Sequence, residues 1–336
     1  MNRRVSCWTA AGAFVTMGTA FAIALAALLP GAALAQEPWP AKPIKLIVPF
    51  PPAGGTDVLS RALAEKIGGS TKWVIVIDNR PGAGGNIGLD AAAKSPPDGY
   101  TVAMGQTANL AVNPALYATM PFDPLKDFAP IALVSSQPLI LVVSANSPYK
   151  NLKELVDAGK ARPGQLNMGS PGNGTIGHVG GELFQRRAGV KFAHIPYKGA
   201  AAVVTDLMGG SVDLYFANTQ SVDALVKGGR LRALAVTSPR RLKNMPNVPT
   251  IAESGYPGFE AATWSGLVAP KETPQAIVDK INAEVAKALA NPDLIARLEA
   301  DGSEPLGGSP KRFADFIKAE HAKWGAVIKE AGIKLD

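Results

Sequence analysis

The feature that most constrains this fold is an alternation of short apolar segments with segments of helical periodicity. Residues 44–50 (IKLIVPF) form an apolar, β-branched run, and residues 58–67 (VLSRALAEKI), which follow, have helical spacing. The same order returns along the chain, with Gly- and Pro-rich turns in between. Continuous apolar strands that alternate with helices are typical of parallel sheets covered on both faces. The sequence therefore predicts an α/β fold with parallel sheets.

The alternation begins a second time with an apolar strand at residues 139–143 (LILVV). A later strand at 263–270 precedes C-terminal helices whose apolar residues recur at i, i+3 and i+4. Those helices need a sheet to cover, and the first half of the chain offers one. With 336 residues, two domains of ordinary size are expected. We predict that residues 36–137 plus 262–336 form domain 1 and that residues 138–261 form domain 2.

The N-terminus has the pattern of a secretory signal peptide. Arg3 and Arg4 precede a nearly unbroken apolar run at residues 11–29, and an A-x-A sequence ends at Ala35. This pattern predicts cleavage after Ala35 and export to the periplasm. A retained membrane anchor is the alternative, and both the general secretory and the twin-arginine routes remain open. Cleavage would remove Cys7, the only cysteine, so the mature protein would have neither a disulfide nor a reactive thiol.

Charge and composition argue against several classes of function. The net charge is +7, of which Arg3 and Arg4 supply two, and no run of Lys and Arg exceeds two residues. A modest positive excess suits anionic small molecules, whereas a nucleic-acid surface would be more densely basic. His178, His194 and His321 lack the spacing of metal ligands. We therefore expect neither nucleic acid nor a metal.

Two glycine-rich turns, each between a strand and a helix, are candidate anion-binding loops. They are PPAGGTD at residues 51–57 and SPGNGT at residues 170–175. Backbone N–H groups at a helix start bind carboxylate or phosphate without a cationic side chain, and glycines allow close approach. Neither loop contains Arg or Lys. An anion cradle is the favoured interpretation of both turns.

Two other interpretations of the second turn remain open. Gly172, Gly174 and Gly177 match the G-x-G-x-x-G pattern of dinucleotide-binding turns. That pattern needs an acidic residue about 20 positions on, and residues 193–197 (AHIPY) contain none. The turn could also be purely structural. Ser170 does not lie in a G-x-S-x-G nucleophile elbow, so no catalytic serine is predicted.

Further candidates come from the positions of single polar residues. Asp57 is either a first-turn acid favoured by the helix dipole or a partner for a ligand ammonium group. Tyr197 is either an exposed strand end or part of a cleft rim. Thr107 and Asn218 end strands on the side where α/β proteins bind ligands.

Longer segments of the sequence resemble one known family. They are WPAKPIKLIVPFPPAGGTD, DNRPGAGGNIG, PPDGYT, GSPGNGTIGH, IPYKG, GGSVDLYF, RLRALAVTS and MPNVPTIAESGYPGFE. In this order and spacing, from about Trp39 to the C-terminus, they are similar to the substrate-binding proteins of tripartite tricarboxylate transporters, the TctC or Bug family. One departure is Pro52-Ala53 before Gly54-Gly55, where many relatives have Pro-Gly-Gly, because alanine disfavours a positive φ.

The resemblance implies a bilobed periplasmic-binding-protein fold with a ligand cleft between two α/β domains. It implies a monomeric, non-enzymatic receptor that captures a small carboxylate and delivers it to a two-component permease of the TctA/TctB type. No cofactor is implied. An exported enzyme with a nucleotide cofactor and a ligand-sensing partner of a signalling system are the alternatives. The resemblance and the turns together give these ligand-binding candidates: Phe50, Pro52, Ala53, Gly54, Gly55, Thr56, Asp57, Thr107, Ser170, Gly174, Thr175, Tyr197 and Asn218.

Overall fold

The computed structural model describes residues 39–197, 199–300 and 302–333. The chain divides into a short N-terminal unit, Met1–Ala41, and the unit Lys42–Asp336, which holds the elements below. The predicted signal peptide lies outside the described residues. Among the described helices, none combines the length and the apolarity that crossing a membrane requires.

The first half of the sheet contains three parallel strands, with β1 (Ile44–Val48) between β2 (Ile75–Asn79) and β3 (Thr101–Gln106). The central strand β1 is almost fully buried because helices cover the sheet, which explains its continuous apolar sequence. A π-helical turn, Ala108–Val112, continues into α3. The elements are β1 Ile44–Val48, α1 Gly55–Thr71, β2 Ile75–Asn79, α2 Asn86–Ala93, β3 Thr101–Gln106 and α3 Asn113–Leu116.

A single long strand, β4 (Phe128–Ser144), connects the two halves of the sheet. Up to Pro138 it pairs with β9 (Ala262–Pro270), and from Leu139 onward it pairs with strands of the second half. The short strand β10 (Glu304–Pro305) also pairs with β4. The two halves of the sheet are therefore joined by a continuous strand.

The second half repeats the alternation of strands and helices. β5 (Asn167–Ser170) pairs in parallel with β6 (Ala193–Pro196) and β7 (Leu214–Asn218), while β7 and β8 (Leu231–Val236) lie antiparallel to β4. The elements are α4 Leu152–Ala161, β5 Asn167–Ser170, α5 Ile176–Ala188, β6 Ala193–Pro196, α6 Ala200–Gly209, β7 Leu214–Asn218, α7 Thr219–Lys227 and β8 Leu231–Val236.

The α/β class is confirmed, but the prediction of parallel sheets is wrong for part of the structure. β9 runs antiparallel to β3, and β4 runs antiparallel to β9, β7 and β8. An apolar, β-branched sequence indicates that a strand is buried. Whether the strand runs parallel or antiparallel depends on a partner strand that is distant in sequence. The sheet is therefore mixed.

Three C-terminal helices complete the fold: α8 (Gln275–Leu289), α9 (Pro292–Ala300) and α10 (Pro310–Ala331). Helix α8 packs on α1 and β4, and α10 packs on β4, on the π-helical turn and on α5. Contact between α10 and the sheet is close at Gly266, where a Cβ atom would overlap with the ring of Phe313. A large hydrophobic cluster includes residues from both halves of the sheet.

Candidate ligand-binding site

A cavity of about 350 Å³ opens where the two halves of the sheet meet, and this size is typical of small-molecule sites. Residues from both predicted anion loops contribute to its wall. The predicted candidates that line it are Phe50, Gly55, Thr56, Thr107, Gly174, Thr175 and Asn218. The predicted candidates outside this lining are Pro52, Ala53, Gly54, Asp57, Ser170 and Tyr197.

Three helices begin at this cavity. Gly55 and Thr56 open α1, Thr175 precedes α5, and Asn218 precedes α7. The capping residues are Gly54, which has no side chain to accept a hydrogen bond, and Thr175 and Asn218, whose side chains accept none from their helices. The first N–H groups and the positive ends of three helix dipoles therefore face one small volume, which favours an anion.

Two polar side-chain atoms next to the start of α7 are buried without a hydrogen-bond partner. They are Oδ1 of Asn218 and Oγ1 of Thr219. Buried polar atoms in folded proteins are almost always paired, so an unpaired atom at the cavity, Oδ1 of Asn218, indicates a place for a ligand or ordered water. Asn218 also lines the cavity.

Asp57 holds the first loop, residues 51–57, in place through hydrogen bonds to its carboxylate. Its carboxylate accepts hydrogen bonds of 2.9 Å from the backbone N–H of Ala53, from Nε of Arg61 and from Nδ2 of Asn79. The hydrogen bond from Arg61 is the main reason why the pKa of Asp57 falls from 3.8 to about 2, and burial opposes this shift. Asp57 therefore has its oxygen atoms occupied within the chain, and it orders the loop from outside the cavity.

Ala53 adopts a φ of +62°, the left-handed conformation that its methyl group disfavours. The sequence departure from Pro-Gly-Gly therefore does not prevent the turn. The hydrogen bond from the Ala53 N–H to Asp57 contributes to holding this conformation. The alanine side chain does not line the cavity.

The second loop rests on two stacked histidines. The rings of His178 and His194 lie 3.7 Å apart with an interplanar angle of 5°. Nδ1 of His178 accepts a hydrogen bond of 3.1 Å from the Gly174 N–H, and Nε2 of His194 lies 2.6 Å from Oγ of Ser170. The Ser170 hydroxyl is fully buried in this contact, so it positions the loop from behind.

Both imidazoles are neutral at neutral pH. Burial is the main reason why the pKa of His178 falls to about 3, and the adjacent His194 contributes to the same shift. Burial also lowers the pKa of His194 to about 4. Because Nδ1 of His178 accepts a hydrogen bond, the proton of its neutral ring is on Nε2, which lies 3.9 Å from Oε1 of Glu182.

The glycines of the second turn have structural reasons that need no dinucleotide. Gly174 has a φ of +74°, which a side chain would strain. At Gly177, a Cβ atom would lie 2.8 Å from the carbonyl oxygen of Phe216, so this glycine allows α5 to approach β7 closely.

Two of the other candidates have their hydroxyl groups engaged within the protein. Oγ1 of Thr107 accepts a hydrogen bond of 2.8 Å from the Trp264 N–H and lies 3.2 Å from the Ala262 carbonyl oxygen. The hydroxyl of Tyr197 donates to Asp206 at 2.6 Å, and this bond raises the tyrosine pKa to about 12. Thr107 therefore ties β9 to the cavity wall, whereas Tyr197 is bonded to α6 and does not line the cavity.

Sequence reasoning missed several polar side chains of the cavity. Gln106 donates from Nε2 to Oγ1 of Thr56 and lies 3.5 Å from Oγ of Ser265. Gln220 reaches across from α7, since its Oε1 would lie 3.4 Å from a Cβ atom at Gly55. Gln106 lies one residue before the predicted Thr107, so the end of β3 was the available signal. Nothing in the local sequence signals Ser265.

A bilobed α/β fold with a cavity at converging helix starts defines the class of periplasmic binding proteins, and similar solved structures belong to it. The periplasmic binding protein BugD is 34% identical, with a TM-score of 0.73 over 88% of this chain and 100% of that chain. A Rhodopseudomonas palustris protein solved with adipate, Rpa4515, is 38% identical, with a TM-score of 0.77 over 88% and 100%. MatC of the same organism, solved with bound malate, is 29% identical, with a TM-score of 0.73 over 86% and 100%.

The sequence comparisons identify the family. Residues 58–333 match the tripartite tricarboxylate transporter family receptor, TctC, and this chain belongs to that family. Protein BugT of Bordetella pertussis is 39% identical over 305 residues, which cover 90% of this chain and 94% of BugT. The predicted family is therefore confirmed. Membership in a family of periplasmic solute receptors implies a periplasmic location.

Proposed function

We propose that this protein is a non-enzymatic periplasmic receptor that captures a small carboxylate and delivers it to a two-component membrane permease. The observation that carries the proposal is the convergence of three uncapped helix starts on one cavity. Relatives solved with adipate and malate support a carboxylate as the ligand. Hydrogen bonds to a charged group contribute about 1.5–3 kcal/mol each, so three or four of them account for micromolar affinity.

Several finer points belong to the same proposal. The signal peptide is cleaved after Ala35, and the mature chain is a monomer. Residues 36–137 plus 262–336 form one domain and residues 138–261 the other, and the cleft between them closes on the ligand. The change in the pairing partners of β4 between Pro138 and Leu139 supports this division.

A thermal-shift screen tests the proposal. The chain from Gln36 onward is heated with adipate, malate, citrate, glutamate, benzoate or NAD. A ligand at 100 times its Kd adds about 2.7 kcal/mol of stability, which corresponds to a rise in Tm of several degrees. We expect at least one carboxylate, and not NAD, to raise the Tm.

Two glycine variants on α1 locate the site. Gly55→Val places a side chain against Gln220 in the cavity and is expected to weaken carboxylate binding at least tenfold. Gly69→Val is the matched control, because a Cβ atom there meets nothing within 4 Å. A thermal shift with NAD alone, or unchanged carboxylate binding by Gly55→Val, would overturn the proposal.

A further inference from the structure

One wall of the cavity is apolar, in contrast to the helix starts. Val58, Leu59 and Ala62 of α1 line it on one side, and Leu294 and Leu298 of α9 line it on the other. Each set lies on one face of its helix, since residues three or four apart point in the same direction. Val58 is 42% exposed although it is apolar. The two helices thus form an apolar wall whose accessible part is mainly Val58, since its other four residues are at most 8% exposed.

Arg297 lies at the edge of this apolar wall. Among the described residues that line the cavity, it alone carries a charge. Its Nη1 atom lies 3.4 Å from Oε2 of Glu65, and both side chains are more than half exposed. Exposed ion pairs of this kind are weak, so the guanidinium group can exchange Glu65 for an anionic group of a ligand at little cost.

The apolar wall extends from the helix start toward Arg297. Gly55 opens α1 at the anion-binding end, and Ala62 lies seven residues further along the same helix, a rise of about 10 Å. A carboxylate held at the helix start would therefore direct the rest of a ligand along the wall. Hydroxyl groups on that part of the ligand would lose hydrogen bonds to water and find apolar side chains in their place.

We infer that this site takes a carboxylate whose remaining part is an apolar chain ending in a second anionic group, with Arg297 as the residue that recognises that group. The inference rests on the proposed function and names the substrate class of the same site. Each methylene group buried against the wall raises the affinity by about fourfold. Binding to Arg297 adds selectivity for a dicarboxylate over a monocarboxylate of the same length.

Isothermal titration of the secreted protein with three acids tests the apolar wall. Adipate has two carboxylates and four methylene groups, hexanoate has one carboxylate and the same number of carbon atoms, and malate is short and hydroxylated. We expect adipate to bind most tightly and malate at least tenfold more weakly than adipate. Val58→Asn, at an exposed position of α1, is expected to weaken the binding of both adipate and hexanoate.

A charge variant tests the role of Arg297. Arg297→Gln is expected to weaken the binding of adipate about fivefold, which corresponds to about 1 kcal/mol. The same variant is expected to change the affinity for hexanoate by less than about twofold. Lys66→Gln is the matched control: it removes one positive charge from the neighbouring helix, but Lys66 pairs with Asp293 and lies outside the cavity lining. It is expected to change the binding of both acids by less than about twofold.

The outcomes separate this inference from the proposed function. Tighter binding of malate than of adipate, or an equal effect of Arg297→Gln and Lys66→Gln on adipate, would overturn the inference and leave a carboxylate receptor. If no carboxylate binds at any concentration tested, the proposed function fails, and the inference fails with it.

Discussion

At the scale of single residues, the stacked pair of His178 and His194 makes the second loop sensitive to acid. Both rings have a folded-state pKa below the usual 6.5, at about 3 and about 4. Between pH 6.5 and 4 the unfolded chain therefore binds protons that the folded chain does not bind. Stability is highest above pH 6.5 and falls as the pH falls, by up to about 1.4 kcal/mol per pH unit for each histidine.

Urea denaturation at several pH values between 6.5 and 4 measures this slope. His178→Gln is expected to make the slope shallower, and His321→Gln, which removes a histidine outside the pair, is expected to leave it unchanged. Asp57 changes the pH dependence of stability only in more acidic solutions, because its carboxylate contributes stability that is lost below pH 3.8. An identical slope in the wild type and in His178→Gln would show that the buried pair does not control acid stability.

At the scale of elements, α10 is fixed to the sheet by a buried carboxylate. Oε2 of Glu320 accepts hydrogen bonds from Nε1 of Trp264 at 2.9 Å and from Nε1 of Trp324 at 2.8 Å. Glu320→Leu would leave both buried indole N–H groups without an acceptor, so we expect a loss of about 2–4 kcal/mol in the free energy of unfolding. Urea denaturation followed by circular dichroism measures this loss.

Two further variants show whether the carboxylate itself is responsible. Glu320→Gln keeps an acceptor oxygen and should cost about 1 kcal/mol. Glu330→Gln on the same helix removes an exposed partner of Arg186 and should change stability by less than about 0.5 kcal/mol. An equal loss of stability in Glu320→Leu and Glu330→Gln would mean that the contacts to the two indole groups do not account for the effect.

The local sequence pattern was sufficient to predict those helices and strands whose buried, apolar residues recur every few positions. It predicted β1, α1 and α10 because apolar spacing is a local property. It failed for the first part of β4, from Phe128 to Pro138, where Pro130 and polar serines interrupt the apolar sequence. Register shifts in the pairing with β9 accommodate these interruptions, and such long-range pairing leaves no local trace.

The same distinction applies to the site. Gly55, Thr56 and Thr175 were predicted because a strand, a glycine turn and a helix follow one another in sequence. Arg297 was not, because only the packing of α9 beside α1 brings it to the cavity. The residues of the proposed anion-binding end could thus be predicted from the sequence, whereas the apolar wall and Arg297 required the fold.

At the scale of the whole molecule, the two halves of the sheet are joined at a buried threonine. Oγ1 of Thr237 accepts a hydrogen bond of 2.7 Å from the Leu139 N–H, where β4 changes its partners, and it donates to the carbonyl oxygen of Ala261, just before β9. Thr237 is fully buried. Both chain crossings between the halves therefore meet at one hydroxyl group.

A continuous β4 and a hydrophobic cluster that includes residues from both halves predict one cooperative unfolding transition. Thr237→Val keeps the shape of the side chain but leaves the Leu139 N–H without an acceptor, so it should lower the free energy of unfolding by about 1–3 kcal/mol. Thr237→Ser keeps the hydroxyl group and should cost less. Urea denaturation followed by both tryptophan fluorescence and circular dichroism checks this, and two separate transitions in the wild type would show that the halves fold independently despite their shared strand.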